Sequence, residues 1–355
     1  MTIPVATASG LRLAYLVDPR FRGGTSSSLL AELSVTSRIA RLSFHSFSEG
    51  FLRGQSVTPA VASALENLGC DIGWDSPVIA GDIVVIHNPI FLSTYPEIPS
   101  RIVARKLVVV THENFLRPGG HEGFDVARVL NVLSGAAVAV ERWLAPVSAH
   151  NRECLEAWLS RRPGIAGWRV LPEDWTNVIV APPRPPVAAP RDRRGRLSRE
   201  GLEKYPPIAV MDLTFPPHAE ANVLMGTELL TEGERARPHW TLLPFGAITT
   251  EAFFGRIDFM IYFTAPTWSE SFGRVIAEAI MAGKPVIAGP EAGRVFGKGV
   301  IVAQPGEVDG IVARLIADPA AYAGQVRRAQ DALAVYRPDA FLARLAPLFA
   351  QPVAA

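Results

Sequence analysis

The chain is patterned as short runs of apolar residues separated by longer stretches in which apolar residues recur every three or four positions. The short runs predict buried strands of a parallel sheet, and the stretches between them predict helices that pack on that sheet. The predicted strands cover residues 11–17, part of 38–47, 82–86, 106–110, 143–147, 175–181, 208–213, 240–244, 258–263, 285–288 and 300–303. The predicted helices cover residues 26–33, 58–68, 126–133, 152–159, 219–230, 251–256, 272–280, 308–317, 319–335 and 339–350. Strands that alternate with helices in this way indicate an α/β fold.

A segment rich in proline and arginine divides the pattern into two halves. Residues 184–206 contain the run PRPPVAAPRDRRGRLSREG and lack apolar periodicity, which is typical of an exposed linker. We therefore predict an N-terminal domain of residues 1–183, a linker of residues 184–206, a C-terminal domain of residues 207–335 and a closing helical segment of residues 336–355. As an alternative to a solvated linker, an anionic acceptor or lipid surface could bind its arginines, which are Arg191, Arg193, Arg194 and Arg196.

The stretch from residue 258 to residue 290 is the most informative part of the chain. It is predicted to form a strand, a polar loop, an amphipathic helix, a turn at Gly283 and a second strand. Glu270 lies at the mouth of that helix and Glu278 lies two turns inside it. Alternatively, Thr267 and Glu270 form an ordinary capping box, and Arg274 pairs with Glu278 on a solvated face.

The start of the same helix is also a candidate anion site. Ser271, Phe272 and Gly273 are predicted to present backbone N–H groups that suit a phosphate or a sugar hydroxyl. Gly273 has no side chain, so a ligand can approach the backbone closely there.

Polar residues gather where the predicted strands end, which is where ligands bind in open parallel sheets. Gly23 and Gly24 follow the first strand, either as a ligand-binding loop or as an ordinary turn, and they match GxGxxG poorly. His87 and His112 follow two later strands. A single histidine can be purely structural; as a site residue we favour His112 and place His87 second.

Composition limits the classes of protein to consider. A chain of 355 residues with 48% hydrophobic and 19% charged residues suits two folded α/β domains. A net charge of +1 argues against a nucleic-acid partner. Cys70 and Cys154 are isolated, so we expect neither a disulfide framework nor a metal site, and we expect a cytoplasmic location. The first ten residues do not have the pattern of a signal peptide, and no apolar run is long enough to span a membrane.

The run Glu270-SFGRVIA-Glu278, followed by AIMAGKPVIA, resembles the signature of retaining GT-B glycosyltransferases, especially family 4, the glycosyl transferases group 1 type. The resemblance implies two Rossmann-like doubly wound domains that face each other across a cleft, with the C-terminal helices crossing back onto the first domain. It also implies that Glu270 contacts hydroxyls of the donor sugar and that Glu278 binds the ribose of the nucleotide.

The resemblance extends to further positions. It implies that Gly23 and Gly24 lie near the donor phosphates, that His112 lies near the donor sugar, and that Phe245 and Gly246 contact the base.

One expected feature is missing in this interpretation. The resemblance implies Gly-Arg after the first strand of the second domain and a Lys several residues farther on, which together neutralise the donor diphosphate. That strand is predicted at 208–213, and the residues that follow it, up to His218, contain neither. Thr214 is then expected to assist. A basic residue from elsewhere could substitute, with candidates Arg22, Arg274, Arg294 and Lys298.

By this resemblance the chain transfers a sugar from a UDP-, GDP- or TDP-sugar to a glycan or lipid-linked acceptor, with retention and without a metal or other cofactor. The expected setting is polysaccharide biosynthesis in the cytoplasm, with peripheral contact to the inner face of a membrane left open. Two alternatives remain. The missing basic pair suggests a catalytically weak GT-B protein that only binds a nucleotide sugar, and a nucleotide-sugar epimerase would share the fold.

Overall fold

The computed structural model describes residues 10–162, 165 and 167–350, so the prediction about the first ten residues lies almost entirely outside it. The described residues divide into two compact units. The first contains residues 10–178 together with 336–350, and the second contains residues 179–335. None of the helices within these described residues has the length and apolar character needed to cross a bilayer.

The elements alternate between strands and helices, with few exceptions. The strands are β1 Arg12–Leu16, β2 Arg41–Ser46, β3 Ile72–Trp74, β4 Val78–His87, β5 Arg101–Thr111, β6 Ala137–Pro146, β7 Trp168–Val170, β8 Arg193–Leu197, β9 Ala221–Met225, β10 Trp240–Leu243, β11 Phe259–Tyr262, β12 Val286–Ala288 and β13 Ile301–Val302. The α-helices are α1 Gly24–Thr36, α2 Pro59–Asn67, α3 Val126–Ala136, α4 Ala149–Ser160, α5 Ile208–Thr214, α6 Glu232–Arg235, α7 Thr250–Gly255, α8 Arg274–Met281, α9 Pro290–Phe296, α10 Val308–Ala317, α11 Pro319–Ala332 and α12 Pro338–Phe349.

The first unit is built on a parallel sheet with the strand order β3-β2-β1-β4-β5-β6-β7. The apolar runs of β1, β4 and β5 occupy its centre, where their carboxyl halves are buried on both faces. Helix α12 belongs to this unit, because Phe341 packs edge-on against the ring of Trp175 and Lys106 donates a hydrogen bond to the carbonyl of Leu348.

The second unit has its own parallel sheet, with the order β10-β9-β8-β11-β12-β13. Strand β8 lies in the middle of this sheet, so the interpretation of residues 184–206 as a linker is wrong for that part. The arginines of β8 are tolerated there because they find partners. Arg194 is buried, and it bonds to Asp192, to Asp309 and to the carbonyl of Thr214.

The shifted strand assignment changes the elements that follow it. The predicted strand at 208–213 is helix α5, which begins directly after Pro207, and proline favours the start of a helix. The predicted helix at 219–230 contains strand β9, which ends at Met225 and is followed by Gly226. In the first unit, the predicted strand at 175–181 has no strand structure, and β7 lies upstream of it.

Gly226 holds the end of β9 close to the end of β8, and no larger residue fits there. Its φ is +96°, and a Cβ at this position would overlap the carbonyl oxygen of Ser198. We therefore expect Gly226→Ala to lower the free energy of unfolding by about 3 kcal/mol, from strain and overpacking combined. Urea denaturation followed by tryptophan fluorescence measures this change.

Gly255 provides a matched control for that substitution. It ends α7, its φ lies outside the left-handed region, and a Cβ there would meet no atom within 4 Å. Gly255→Ala is expected to change the free energy of unfolding by no more than about 0.5 kcal/mol. Equal stability of the two variants would contradict the close approach at Gly226.

Candidate functional site

In each sheet the strand order reverses direction between two neighbouring strands, and this reversal marks a candidate ligand site. In the second unit the reversal lies between β8 and β11. The loops that follow two such strands run in opposite directions, which leaves a crevice outside the carboxyl ends of the strands. The loop after β8 carries Lys204, and the loop after β11 carries Glu270.

Glu270 and Lys204 meet at this crevice. The ammonium group of Lys204 lies 2.7 Å from Oε1 of Glu270, and the hydroxyl of Tyr262 donates to the same oxygen over 2.8 Å. Lys204 also lies over the ring of Trp268, 4.4 Å from its centre. The side chain of Glu270 is 20% exposed, so the pair is shielded from solvent without being closed to it.

These partners set the protonation of the site. Burial alone would raise the pKa of Glu270, but the charge and hydrogen bond of Lys204, with hydrogen bonds from Tyr262 and Trp268, hold it below its usual value. Burial, and next the Glu270 carboxylate, raise the pKa of Tyr262 well above its usual value. At neutral pH Glu270 is therefore ionised, and Tyr262 is a neutral hydrogen-bond donor to it.

Arg196 lies beside this cluster and corrects the prediction of a missing basic pair. The Gly-Arg sequence is Gly195-Arg196 within β8, and the lysine several residues farther on is Lys204. Arg196 is 1% exposed, and its guanidinium lies over the rings of Tyr205 and Tyr262, 4.8 and 4.5 Å from their centres.

Only part of the guanidinium N–H groups of Arg196 make hydrogen bonds. Its Nη2 donates to the carbonyl of Lys204, but Nε and Nη1 make no hydrogen bond to any residue that the structure describes. Unpaired buried donors of a permanent cation favour an anionic ligand nearby. The use of Arg22, Arg274, Arg294 or Lys298 as a substitute for a missing pair stays a prediction.

Helix α8 begins later than predicted, which changes the expected anion site. It starts at Arg274 with Gly273 as its N-cap, so Ser271 and Phe272 belong to the loop before it. Gly273 has φ +84°, which explains a glycine at this point. The ring of Phe272 is buried and packs edge-on against another aromatic ring of the unit, that of Phe296.

The structure favours one of the two alternatives for each acidic residue of the signature. Arg274 and Glu278 form the predicted ion pair at 2.9 Å, although both side chains are mostly buried. Burial raises the pKa of Glu278, and Arg274 offsets part of that rise. Glu270, in contrast, uses its carboxylate on side chains rather than as a capping box. Ribose binding by Glu278 stays a prediction.

Three further predicted donor-binding residues belong to the second unit, and two of them lie at the carboxyl edge of its sheet. Phe245 and Gly246 follow β10, and Phe245 is 40% exposed. Thr214 ends α5 instead of following a strand, and its hydroxyl donates to Val210 in its own helix over 2.9 Å. The reason for placing Thr214 in the site therefore does not hold.

A second cluster lies in the first unit, where the strand order reverses between β1 and β4. Gly23 is the N-cap of α1 with φ +126°, and Gly24 is the first residue of that helix. His87 ends β4 and His112 follows β5, and Nδ1 of His87 lies 2.8 Å from Nε2 of His112. The two favoured histidines are therefore one hydrogen-bonded pair.

Glu32 completes this cluster, and sequence reasoning did not single it out. It lies on α1 and is 2% exposed, with Oε1 3.4 Å from Nε2 of His87. Tyr15 and Trp175 donate to its two oxygens at 2.8 and 2.7 Å. The signal in the sequence is a carboxylate that stands between Leu29 and Leu33, two leucines of the buried side of α1. Among the described residues, no group of three or more His, Cys, Asp or Glu side chains is arranged to hold a metal ion.

No protein-family model and no curated protein matches the chain. Several solved structures do. The crystal structure of Anabaena Alr3699/HepE in complex with UDP-glucose matches with a TM-score of 0.65 and 16% identity, over 95% of this chain and 99% of that chain. A glycosyltransferase from Rickettsia africae ESF-5 matches with a TM-score of 0.53 and 13% identity, over 96% and 98%. The lipopolysaccharide outer core galactosyltransferase WaaB, in its apo form, matches with a TM-score of 0.50 and 13% identity, over 95% and 100%.

These likenesses are too distant in sequence to show more than a shared fold, but they extend over nearly the whole chain. They agree with the strand order of the two parallel sheets. In each sheet the first three strands lie in reverse order, 3-2-1, and the fourth strand lies next to the first. The predicted fold class is confirmed: the chain has the GT-B fold, with two Rossmann-like α/β domains.

Proposed function

We propose that the chain is a glycosyltransferase that moves a sugar from a nucleoside diphosphate donor to a hydroxyl of a glycan or lipid-linked acceptor, with retention of configuration. The observation that carries the proposal is the cluster of Lys204, Glu270, Tyr262 and Arg196 at the reversal of strand order in the second domain. It places two cations and one ionised carboxylate where a doubly wound sheet binds its ligand.

The chemistry of sugar transfer requires these charges. The nucleoside diphosphate leaves with additional negative charge, and the largest task of the protein is to stabilise it. Lys204 and the unpaired donors of Arg196 supply positive charge for that purpose. Glu270 accepts hydrogen bonds, which suits the hydroxyls of the donor sugar.

The finer features of the reaction rest on the resemblance in residues 270–288. A retaining reaction without a positioned enzyme nucleophile fits a front-face path, in which the leaving phosphate accepts the proton of the acceptor hydroxyl. This path does not require a metal ion, because the basic side chains balance the charge of the leaving diphosphate. We place the enzyme in family 4, in the cytoplasm at the inner face of a membrane, and in polysaccharide biosynthesis.

UDP is the first nucleotide to test. HepE, which has a similar fold, was crystallised with UDP-glucose, with UDP and glucose, and with UDP. A GDP- or TDP-sugar remains the next choice. WaaB, a galactosyltransferase of lipopolysaccharide, supports a glycan acceptor and a bacterial cell-surface product.

Binding of UDP tests the donor site directly. We expect UDP to raise the melting temperature by several degrees, because a ligand at 100 times its dissociation constant stabilises the native state by about 2.7 kcal/mol. UMP and uridine are the matched control ligands, and they should shift the melting temperature less, since Lys204 and Arg196 would have no second phosphate to bind. The absence of a shift with UDP, GDP and TDP would refute the proposed site.

Turnover separates the competing functions. A nucleotide-sugar-binding protein would bind UDP without transfer or hydrolysis, and an epimerase would convert the donor sugar without an acceptor. The observation that favoured a catalytically weak protein, the missing basic pair, disappears with the assignment of Arg196 and Lys204. We therefore expect transfer when UDP-sugars are presented with acceptor glycans.

A further inference from the structure

The loop that follows β2, residues 47–54, is held in place by Arg20. This arginine is 4% exposed and pairs with Asp18 at 2.8 Å. Its guanidinium also donates to the backbone carbonyls of the first three residues of the loop, over 2.7 to 3.2 Å. The hydroxyl of Tyr95 donates to the last of these carbonyls, that of Glu49. A loop that is fixed in this way loses little conformational freedom when it binds a ligand.

Trp74 lies against the same arginine and still faces solvent. The guanidinium carbon of Arg20 lies 5.4 Å from the centre of the Trp74 ring, which is within the range of a cation–π contact. Trp74 is nevertheless 39% exposed, and Phe51 in the loop is 47% exposed. An aromatic side chain that a fixed neighbour supports offers a large contact surface at a small cost in entropy.

Asp75 places a carboxylate beside this ring. It follows Trp74 directly, it is exposed, and its Oδ1 accepts the backbone N–H of Ser48 over 3.0 Å. This bond joins the end of β3 to the loop after β2. Asp75 has φ +48°, a left-handed conformation that aspartate adopts more readily than most residues. The exposed ring and the carboxylate are therefore presented together on a backbone that hydrogen bonds hold in place.

These groups lie at the edge of the first sheet, on the side where a ligand is expected. Trp74 is the last residue of β3, which is the edge strand in the order β3-β2-β1-β4. Ligands of such sheets bind outside the carboxyl ends of the strands, at the reversal between β1 and β4. Two strand spacings separate β3 from β1, which places Trp74 about 10 Å from that reversal. One sugar ring bound at the reversal does not reach Trp74, but a chain of several rings does.

The chemistry of these groups fits a neutral sugar chain. The face of a pyranose ring that carries C–H groups is apolar and packs on an aromatic ring, and the hydroxyl groups of the sugar donate to a carboxylate. The charged residues within positions 47–54 and 74–76 are Asp75 and the ion pair of Glu49 with Arg53, which sum to a net negative charge. Anionic lipids are bound by clusters of lysine and arginine, so a membrane surface fits this region less well.

We infer that Trp74, Asp75 and the loop of residues 47–54 bind one sugar ring of the acceptor glycan, at a distance from the ring that receives the transferred sugar. The bound ring stacks on Trp74, and one of its hydroxyl groups donates to Asp75. The inference deepens the proposed function and rests on it for the role of the glycan as acceptor. A trisaccharide therefore binds more tightly than a monosaccharide, because only the longer molecule spans the reversal and the edge strand.

Binding at Trp74 can be observed without transfer. The test is an NMR titration of the full chain with ¹⁵N-labelled tryptophan, whose seven indole N–H groups each give a signal. The signal of Trp74 is the one that disappears in Trp74→Phe. The probes are maltotriose, cellotriose and the trisaccharide of N-acetylglucosamine, with glucose as the monosaccharide and phosphatidylglycerol vesicles as the membrane.

We expect at least one of the three trisaccharides to shift the signal of Trp74, and glucose at equal concentration to shift it less. The signal of Trp143, assigned in the same way with Trp143→Phe, is the internal control and should not move. Trp143 lies within β6, under the guanidinium of Arg169 at 4.2 Å, and its indole donates to Glu141 over 2.8 Å. If none of the trisaccharides shifted the Trp74 signal, or if only the vesicles did, the inference would be wrong.

Trp74→Ala tests what the ring contributes to the reaction. With the trisaccharide that shifts the Trp74 signal as acceptor, we expect KM for this acceptor to rise about tenfold, the loss of one stacked ring. The value of kcat and the affinity for UDP should stay unchanged, because Trp74 takes no part in the chemical step or in donor binding. Trp143→Ala is the control variant and should change none of the three values.

The outcomes separate the inference from the proposed function. A trisaccharide that binds at Trp74 in a protein that transfers no sugar would uphold the binding site and refute the function. Transfer to that trisaccharide with the same KM in Trp74→Ala as in the unchanged chain would refute the site and uphold the function. Because the titration uses the unchanged chain, it decides even if Trp74→Ala does not fold.

Discussion

Lys204→Met is expected to lower kcat/KM for a UDP-sugar by about 10²- to 10³-fold, the effect of removing one group that stabilises developing charge. The lysine is the most accessible cation of the site, held 2.7 Å from Glu270 and over the ring of Trp268. Methionine keeps much of the apolar stem and the contact with that ring, and it removes only the charge. Steady-state kinetics with a UDP-sugar and an acceptor glycan measure the change.

The loss in Lys204→Met should also appear in binding, since the diphosphate is present in the ground state as well as in the transition state. The affinity for UDP, measured by calorimetry, is therefore expected to fall together with kcat/KM. Lys298→Met is the matched control, because Lys298 is exposed on the short turn after α9. Near-normal kinetics in Lys204→Met, or an equal loss in the control, would remove Lys204 from the site.

The part of the site that could be predicted from the sequence is the stretch in which the patterns of the strands and of the helix are both clear. Between residues 258 and 290 the apolar run, the polar loop, Gly283 and the next strand all appear in the predicted order. Buried parallel strands are continuous apolar runs, so their positions are readable without any knowledge of partners. Because α8 begins only at Arg274, Glu270 lies in the loop before the helix, and Glu278 lies about one turn inside it instead of the predicted two.

The strand β8 could not be read in the same way, because its sequence is RRGRL. Arg194 and Arg196 are buried because other groups neutralise or cover them: Asp192 and Asp309 bond to Arg194, and the rings of Tyr205 and Tyr262 flank Arg196. Two of these partners, Asp309 and Tyr262, lie far from β8 in the sequence. A polar strand whose burial depends on tertiary contacts has no apolar period to detect.

The pair His87 and His112 shows a related limit. Each histidine was identifiable at a strand end, but their contact depends on the pairing of β4 with β5 and on the position of α1. Glu32 is the clearest case, since its partners Tyr15 and Trp175 are contributed by opposite ends of the first domain. Hydrogen bonds across such sequence distances require the fold before they can be predicted.

Glu270→Gln is expected to separate transfer from binding. The amide can still accept a hydrogen bond from Tyr262, but it no longer carries the charge that Lys204 faces at 2.7 Å. We expect kcat to fall about 10²- to 10³-fold, the effect seen when a group that acts in the transition state is removed. UDP affinity should remain unchanged or rise, since Lys204 loses its competing carboxylate and keeps its charge for the diphosphate.

The two variants therefore have opposite signatures, and this contrast is sharper than either loss alone. Lys204→Met weakens UDP binding, whereas Glu270→Gln preserves it and slows the chemical step. Glu251→Gln is the matched control, because its side chain is 69% exposed in α7 and contacts Arg184 instead of the cluster. If Glu270→Gln lost UDP binding to the same degree as transfer, the carboxylate would be a structural support for the loop, and another residue would have to contact the donor sugar.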